Sequence, residues 1–199
     1  MPQWELRIGS ANKNNGGRII KVKKYLLHPK YDKRTYRDYD FCVLYFQERI
    51  TFSTKVARIE IVKQDERQVQ SQCVIAGFGM DWKKKNQDYL KAAVVETIGW
   101  ERCKDAYPAV ELTSAQICAT STNGTKGWVL FLLNTSLVFI FLGFCAGDAG
   151  GPMIDAESGK LVGIISHSKD PCTDSKTPGI FARIPEVSNW LQEIMKANS

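Results

Sequence analysis

The sequence predicts an all-β fold. Through most of its 199 residues, apolar side chains fall in short runs or in alternation, broken by turns, and helical spacing is found only near the C-terminus. A hydrophobic content of 44% is enough for a packed core, and no internal repeat or low-complexity linker divides the chain.

The elements follow in order. In GGRIIKVKKYLLHPKYD, the β-branched run Ile19 to Val22 predicts a strand that leads into a turn at Pro29. DFCVLYF and RIEIV predict two more strands, the second ending before the polar run Lys63 to Gln72. That run predicts an interdomain connection, because CVIAGFG at once restarts strand structure and closes it with glycines. The predicted organisation is a β unit over 1–62, a connection over 63–72 and a second β unit over 73–199. Pro185 followed by Val187, Trp190, Leu191 and Ile194 predicts a short amphipathic helix over about 185–197.

Charge and cysteines narrow the setting. The net charge of +6 lies in residues 1–40, which hold ten Lys or Arg against four Asp or Glu, while the remainder holds seventeen of each. Such a segment suits an acidic partner, a sulfated glycan or an anionic surface, or is a solvated, variably charged face. No nucleic-acid motif accompanies it. The six cysteines form no CxxC pair and lack the histidines of a zinc site, so neither a metal nor a cofactor is expected. Spaced singly, they fit long-range disulfides and a secreted protein, although MPQWELRIGS has none of the features of a signal peptide.

One segment departs from this pattern. From Gly127 to Gly147, twenty-one consecutive residues carry no charge. At about 1.5 Å per residue a helix of that length would span a bilayer core of ~30 Å, but Asn134, Thr135 and Ser136 interrupt its centre. Asn123 in NGT and Asn134 in NTS fit the glycosylation pattern.

The chemistry concentrates in CAGDAGGPM, Cys145 to Met153. In a Gly-Asp-X-Gly-Gly-Pro turn, glycines permit a tight backbone whose N–H groups converge as an oxyanion hole for acyl transfer, with X as the attacker. The blocks HPKYD, DYDFCVLYF, CVIAGFG, CKDAYP, ICA, CAGDAGGPM, GKLVGIISH and TPGIFARIPEVSNWLQEI stand in a fixed order. Together they resemble the trypsin and chymotrypsin family of serine proteases over nearly the whole chain.

The resemblance implies a double antiparallel β-barrel of six strands each, followed by a short C-terminal helix. The first barrel is expected to be truncated at its N-terminus, because Met1 falls downstream of the family's activation site and catalytic histidine. Asp40 matches the catalytic Asp, Gly147 and Ala149 match the oxyanion hole, and Ala149 stands at the nucleophile position. Alanine has no lone pair to attack a carbonyl and no proton to pass to a base. The two histidines, His28 in a turn that resembles a surface loop and His167 where the family usually has Trp, match no base.

Asp148 matches the acid that pairs with the freed N-terminus in the family, so here it is expected to find another partner or the loop to rearrange. The substrate pocket is implied at Gly143, Ser166, His167, Ser168 and Gly179, its floor uncharged. Disulfides are implied between Cys103 and Cys118 and between Cys145 and Cys172. Cys73 matches half of another family disulfide whose partner position holds Asp155, so Cys73 and Cys42 are expected as thiols, Cys42 as a small buried core residue.

By the same resemblance, the stretch from Cys118 to Cys145 is about sixteen residues too long, the excess being the apolar insertion 128–143. Translation of a retained intron would account for it. Four functions follow as expectations: a non-catalytic binding or regulatory homologue, partnered by a protein or peptide of a protease cascade; a serine endopeptidase; a membrane-anchored protein; or a mis-spliced fragment.

Overall fold

A computed structural model describes residues 4–33, 37–64, 66, 71–80, 86–121, 131–133, 136–138, 146–167 and 177–197. The β-branched and aromatic runs of the N-terminal unit form β1 (Glu5–Ile8), β2 (Arg18–Leu27) and β3 (Cys42–Phe46), paired antiparallel in that order. β2 runs beyond the predicted Ile19 to Val22, with a bulge between Val22 and Lys24. In β2 Ile20 is buried, whereas Tyr25, Leu26 and Leu27 are exposed. The sheet is open, with β1 and β3 as its edges.

The rest of the chain supplies β4 (Gln72–Gly77), β5 (Lys91–Ile98), α1 (Trp100–Ala106) and β6 (Gln116–Ser121), then the short pair β7 (Phe131–Leu133) and β8 (Ser136–Val138). β9 (Pro152–Asp155), β10 (Leu161–His167) and β11 (Gly179–Arg183) follow, then a 3₁₀ turn (Ile184–Val187) and α2 (Ser188–Ala197). Six of these strands close a barrel in the order β10-β11-β6-β5-β4-β9. Closure removes the edges that the first unit leaves open. Phe181, Met153, Val95 and Val162 fill the barrel core, and Phe41 and Val62 of the N-terminal unit enter it too.

Two expectations are corrected, and one element is new. RIEIV, expected as a strand, forms none. Its apolar residues pack on the barrel instead: Ile61 makes a parallel bridge to Leu161, and Val62 joins the barrel core. The Val62 N–H donates to the Leu161 carbonyl (3.1 Å) and the Leu161 N–H to the Glu60 carbonyl (2.8 Å). Cys42 is exposed, not buried, because it sits on the open edge strand β3 opposite the exposed Leu27. α1 has no counterpart in the sequence reading; Gly99 at its N-cap, Glu101 in its first turn and Lys104 in its last are its local signals.

The C-terminal helix is divided, with Pro185 inside the 3₁₀ turn and regular α-helix from Ser188 onward. Its expected stripe faces inward: Val187 is buried, and Trp190 and Leu191 pack against the core. Cys103 of α1 and Cys118 of β6 are joined by a disulfide, with Cα atoms 5.9 Å apart. Among the described residues no helix is long and apolar enough to cross a membrane.

Candidate active site

The glycine-rich turn ahead of β9 is shaped by its backbone. Gly147 and Gly150 take φ of 96° and 90°, in the left-handed region that favours glycine. The Gly151 N–H donates to the Asp148 carbonyl (2.9 Å), which closes the turn. Two further bonds fasten it to β10: the Gly150 N–H donates to the Ile165 carbonyl, and the Ile165 N–H donates to the Gly151 carbonyl, each at 2.8 Å. Ala149 stands exposed in this turn, its methyl group where a nucleophile is implied.

Asp148 turns its carboxylate toward the segment that follows β4. The Gly79 N–H donates to Asp148 Oδ1 at 2.7 Å. A Cβ at Gly77 or Gly79 would lie 2.1 or 2.4 Å from that carboxylate, so only glycines leave room for it. The half-buried Asp148 thus accepts a charge-assisted hydrogen bond from the Gly79 backbone.

Asp40 is brought to the same strand from the other unit. Ser166 Oγ donates to Asp40 Oδ2 at 2.7 Å, and Ser166 is only 4% exposed. The residue sits at the irregularity of β10 between Ile165 and His167. Its carbonyl accepts from the Arg37 guanidinium at 3.3 Å, and Arg37 itself takes a left-handed φ of 60°. Asp40, Ser166 and the 146–151 turn therefore gather around the C-terminal half of β10. Sequence reasoning named Ser166 as a pocket wall but missed its bond to Asp40; it missed Arg37 altogether.

The histidines lie elsewhere in function. His28 leads into an exposed turn, but is itself only 8% exposed, because its ring stacks on Tyr39 (4.6 Å between centroids) and meets Trp190 edge-on (4.6 Å). Its Nδ1 accepts from the Lys30 N–H at 3.2 Å. Burial, then the Lys30 charge, hold it below its ordinary pKa of 6.5, against an opposing pull from Asp38. His167 pairs with Ile180 in the β10–β11 ladder and is likewise held low by burial and the Arg37 charge. Among the described residues no histidine hydrogen-bonds to Asp40.

The remaining implied positions divide. Gly179 opens β11, buried opposite Ala119. Gly143, Cys145, Ser168 and Cys172 lie outside the described residues, and with them the pocket floor and the second implied disulfide. Chemically, the site holds a carboxylate fixed by a buried hydroxyl beside a glycine-rich turn whose Gly150 and Gly151 amides are already bonded within the protein.

Comparison with known proteins now bears on this arrangement. The family model described as Trypsin matches residues 2–128 and 134–191, and its interruption falls inside the apolar insertion. Trypsin 5G1 of Aedes aegypti is 32% identical over 193 residues, covering 96% of this chain and 65% of that protein. Kallikrein-8 of Homo sapiens is 27% identical over 201 residues, covering 98% of this chain and 69% of that protein. The chain thus spans about two thirds of the length of these relatives. Among solved structures, neuropsin, a serine protease expressed in the limbic system of mouse brain, superposes with a TM-score of 0.81. It is 24% identical, covers 98% of this chain and 80% of that one, and speaks for the fold alone. With the family model matched on both sides of the insertion and the same barrel architecture in place, the chain belongs to the trypsin family.

Proposed function

We propose that this chain is a non-catalytic member of the trypsin family that acts in an extracellular setting by binding a protein or peptide of a proteolytic cascade. Ala149 carries the reading: a methyl group occupies the head of the turn that would present the nucleophile. The surroundings support it. The hydroxyl at Asp40 belongs to Ser166, and His28 is held in an aromatic sandwich rather than against that carboxylate. The Cys103–Cys118 disulfide supports an oxidising compartment and hence secretion.

A fluorophosphonate probe tests the proposal. Neither the parent chain nor an Ala149→Ser variant should label or cleave peptide esters, because loss of one essential triad member costs roughly 10⁴ to 10⁶ in rate and, among the described residues, no histidine stands against Asp40. Labelling of the parent would overturn the proposal, and labelling of the variant would show that a base is at hand. The second reading, a serine endopeptidase, draws on Asp40 at the position that matches the catalytic Asp and on the trypsins among the relatives. Turnover by the parent chain is the result that would favour it.

A further inference from the structure

The chain's positive charge belongs to one structural unit. Residues 1–62 hold thirteen Lys or Arg against six Asp or Glu, whereas residues 63–199 hold fourteen against fifteen. β2 alone carries Arg18, Lys21, Lys23 and Lys24, all exposed. At about 3.3 Å of rise per residue, Lys21 to Lys24 cover roughly 10 Å of extended strand. The nearby acids are few: Glu5 stands opposite Lys21 in the β1–β2 ladder, and Glu48 pairs with Arg18.

Where β2 begins there is also a receptacle. An open groove of about 320 Å³ lies between the β1–β2 connection and residues 51–56, with Arg18, Lys55, Thr51 and Ser53 in its walls and Ile8 and Val56 beside them. Two cations and two hydroxyls around one hollow suit a tetrahedral oxyanion. The Arg18–Glu48 pair is 3.5 Å long with both side chains nearly half exposed, so it is weak and exchangeable. Among the described residues no carboxylate forms an ion pair with Lys55.

We propose that this groove receives a sulfate group of an extracellular sulfated polysaccharide, and that Lys21, Lys23 and Lys24 hold the anionic groups that follow along the same chain. The disulfide selects among polyanions. Its oxidising compartment excludes the cytosol, where nucleic acids and the anionic leaflet of the membrane are met. The inference does not depend on whether the site at Ala149 is silent.

Titration with a short heparin oligosaccharide at physiological salt tests it. The double variant Arg18→Gln, Lys55→Gln should raise Kd about tenfold, and Lys21→Gln, Lys23→Gln should weaken binding independently of the groove. A control of equal charge change, Lys104→Gln with Lys196→Gln, should stay within about twofold. Equal losses in the groove and control variants would reduce the effect to net charge and overturn the proposal. So would equal affinity for desulfated heparin, tighter binding of duplex DNA or phosphatidylserine vesicles, or no heparin binding by the parent chain.

Discussion

Ser166 performs two tasks with neighbouring atoms, its hydroxyl donating to Asp40 and its carbonyl accepting from Arg37. The contacts cross 126 and 129 residues of sequence, which is why neither can be read locally. Ala149 and Asp40, by contrast, are legible because short motifs flank them. His28 misleads for a physical reason: a turn with Pro29 and Lys30 looks solvated, but the imidazole itself is covered by Tyr39 and Trp190. That cover has a pH consequence. The folded pKa lies below 6.5, so between the two values the unfolded chain holds a proton that the folded chain does not. Stability is full above 6.5 and is lost as pH falls toward the folded pKa, by at most about 1.4 kcal/mol per pH unit. Urea unfolding at about pH 7.5 and about pH 5.5 should show a smaller loss in His28→Phe than in the parent, with His167 contributing equally to both. An equal loss in both proteins would mean that His28 titrates normally.

At the scale of elements, β4 and β9 offer a direct test of pairing. Cys73 stands opposite Asp155 in their antiparallel register, as the sequence resemblance places a cysteine opposite an acid. Burial pushes the Cys73 thiol up to about 11, so it stays protonated at neutral pH. Burial also pushes Asp155 upward, but the bonds from the Ser158 hydroxyl and backbone, with others, outweigh it and hold the carboxyl below 3.8. Refolding Asp155→Cys in a glutathione redox buffer should join the two strands. The variant gains a cysteine yet should show one titratable thiol fewer than the parent. The bond contributes about 2–4 kcal/mol, but the two Ser158 hydrogen bonds it replaces are charge-assisted and worth about 1.5–3 kcal/mol each, so the thiol count and not the denaturation midpoint is the readout. One additional thiol would refute the register. Of the barrel strands, β4 was legible in the sequence because CVIAGFG is apolar and closed by glycines. RIEIV has the same local look, and its destination was set by Leu161 a hundred residues away. α1 escaped because seven residues are too few to display a period.

Among the described residues the two main sheets differ: six strands close on themselves, while β1–β3 end in open edges. Closure was legible through family resemblance rather than periodicity, since strand count alone does not say which edges meet. Hydrogen exchange should report the difference, with amides of β5, β6, β10 and β11 slowest and those of β1–β3 released first. Uniform protection across both units would contradict it. The units are joined along several lines: residues 11–14 bond to residues 88–90, Asp38 accepts from the Thr113 hydroxyl, His28 meets Trp190, and β10 contributes at both of its ends. Leu161 gives both its backbone groups to residues 60 and 62, and Ser166, at the far end of the same strand, holds Asp40 and Arg37. β10 is therefore a seam stitched at both ends, with Phe41 and Val62 as pegs in the barrel wall. Tension that draws the N-terminal sheet away loads these stitches before the barrel's own ladders, so the sheet tears loose while the barrel stays shut.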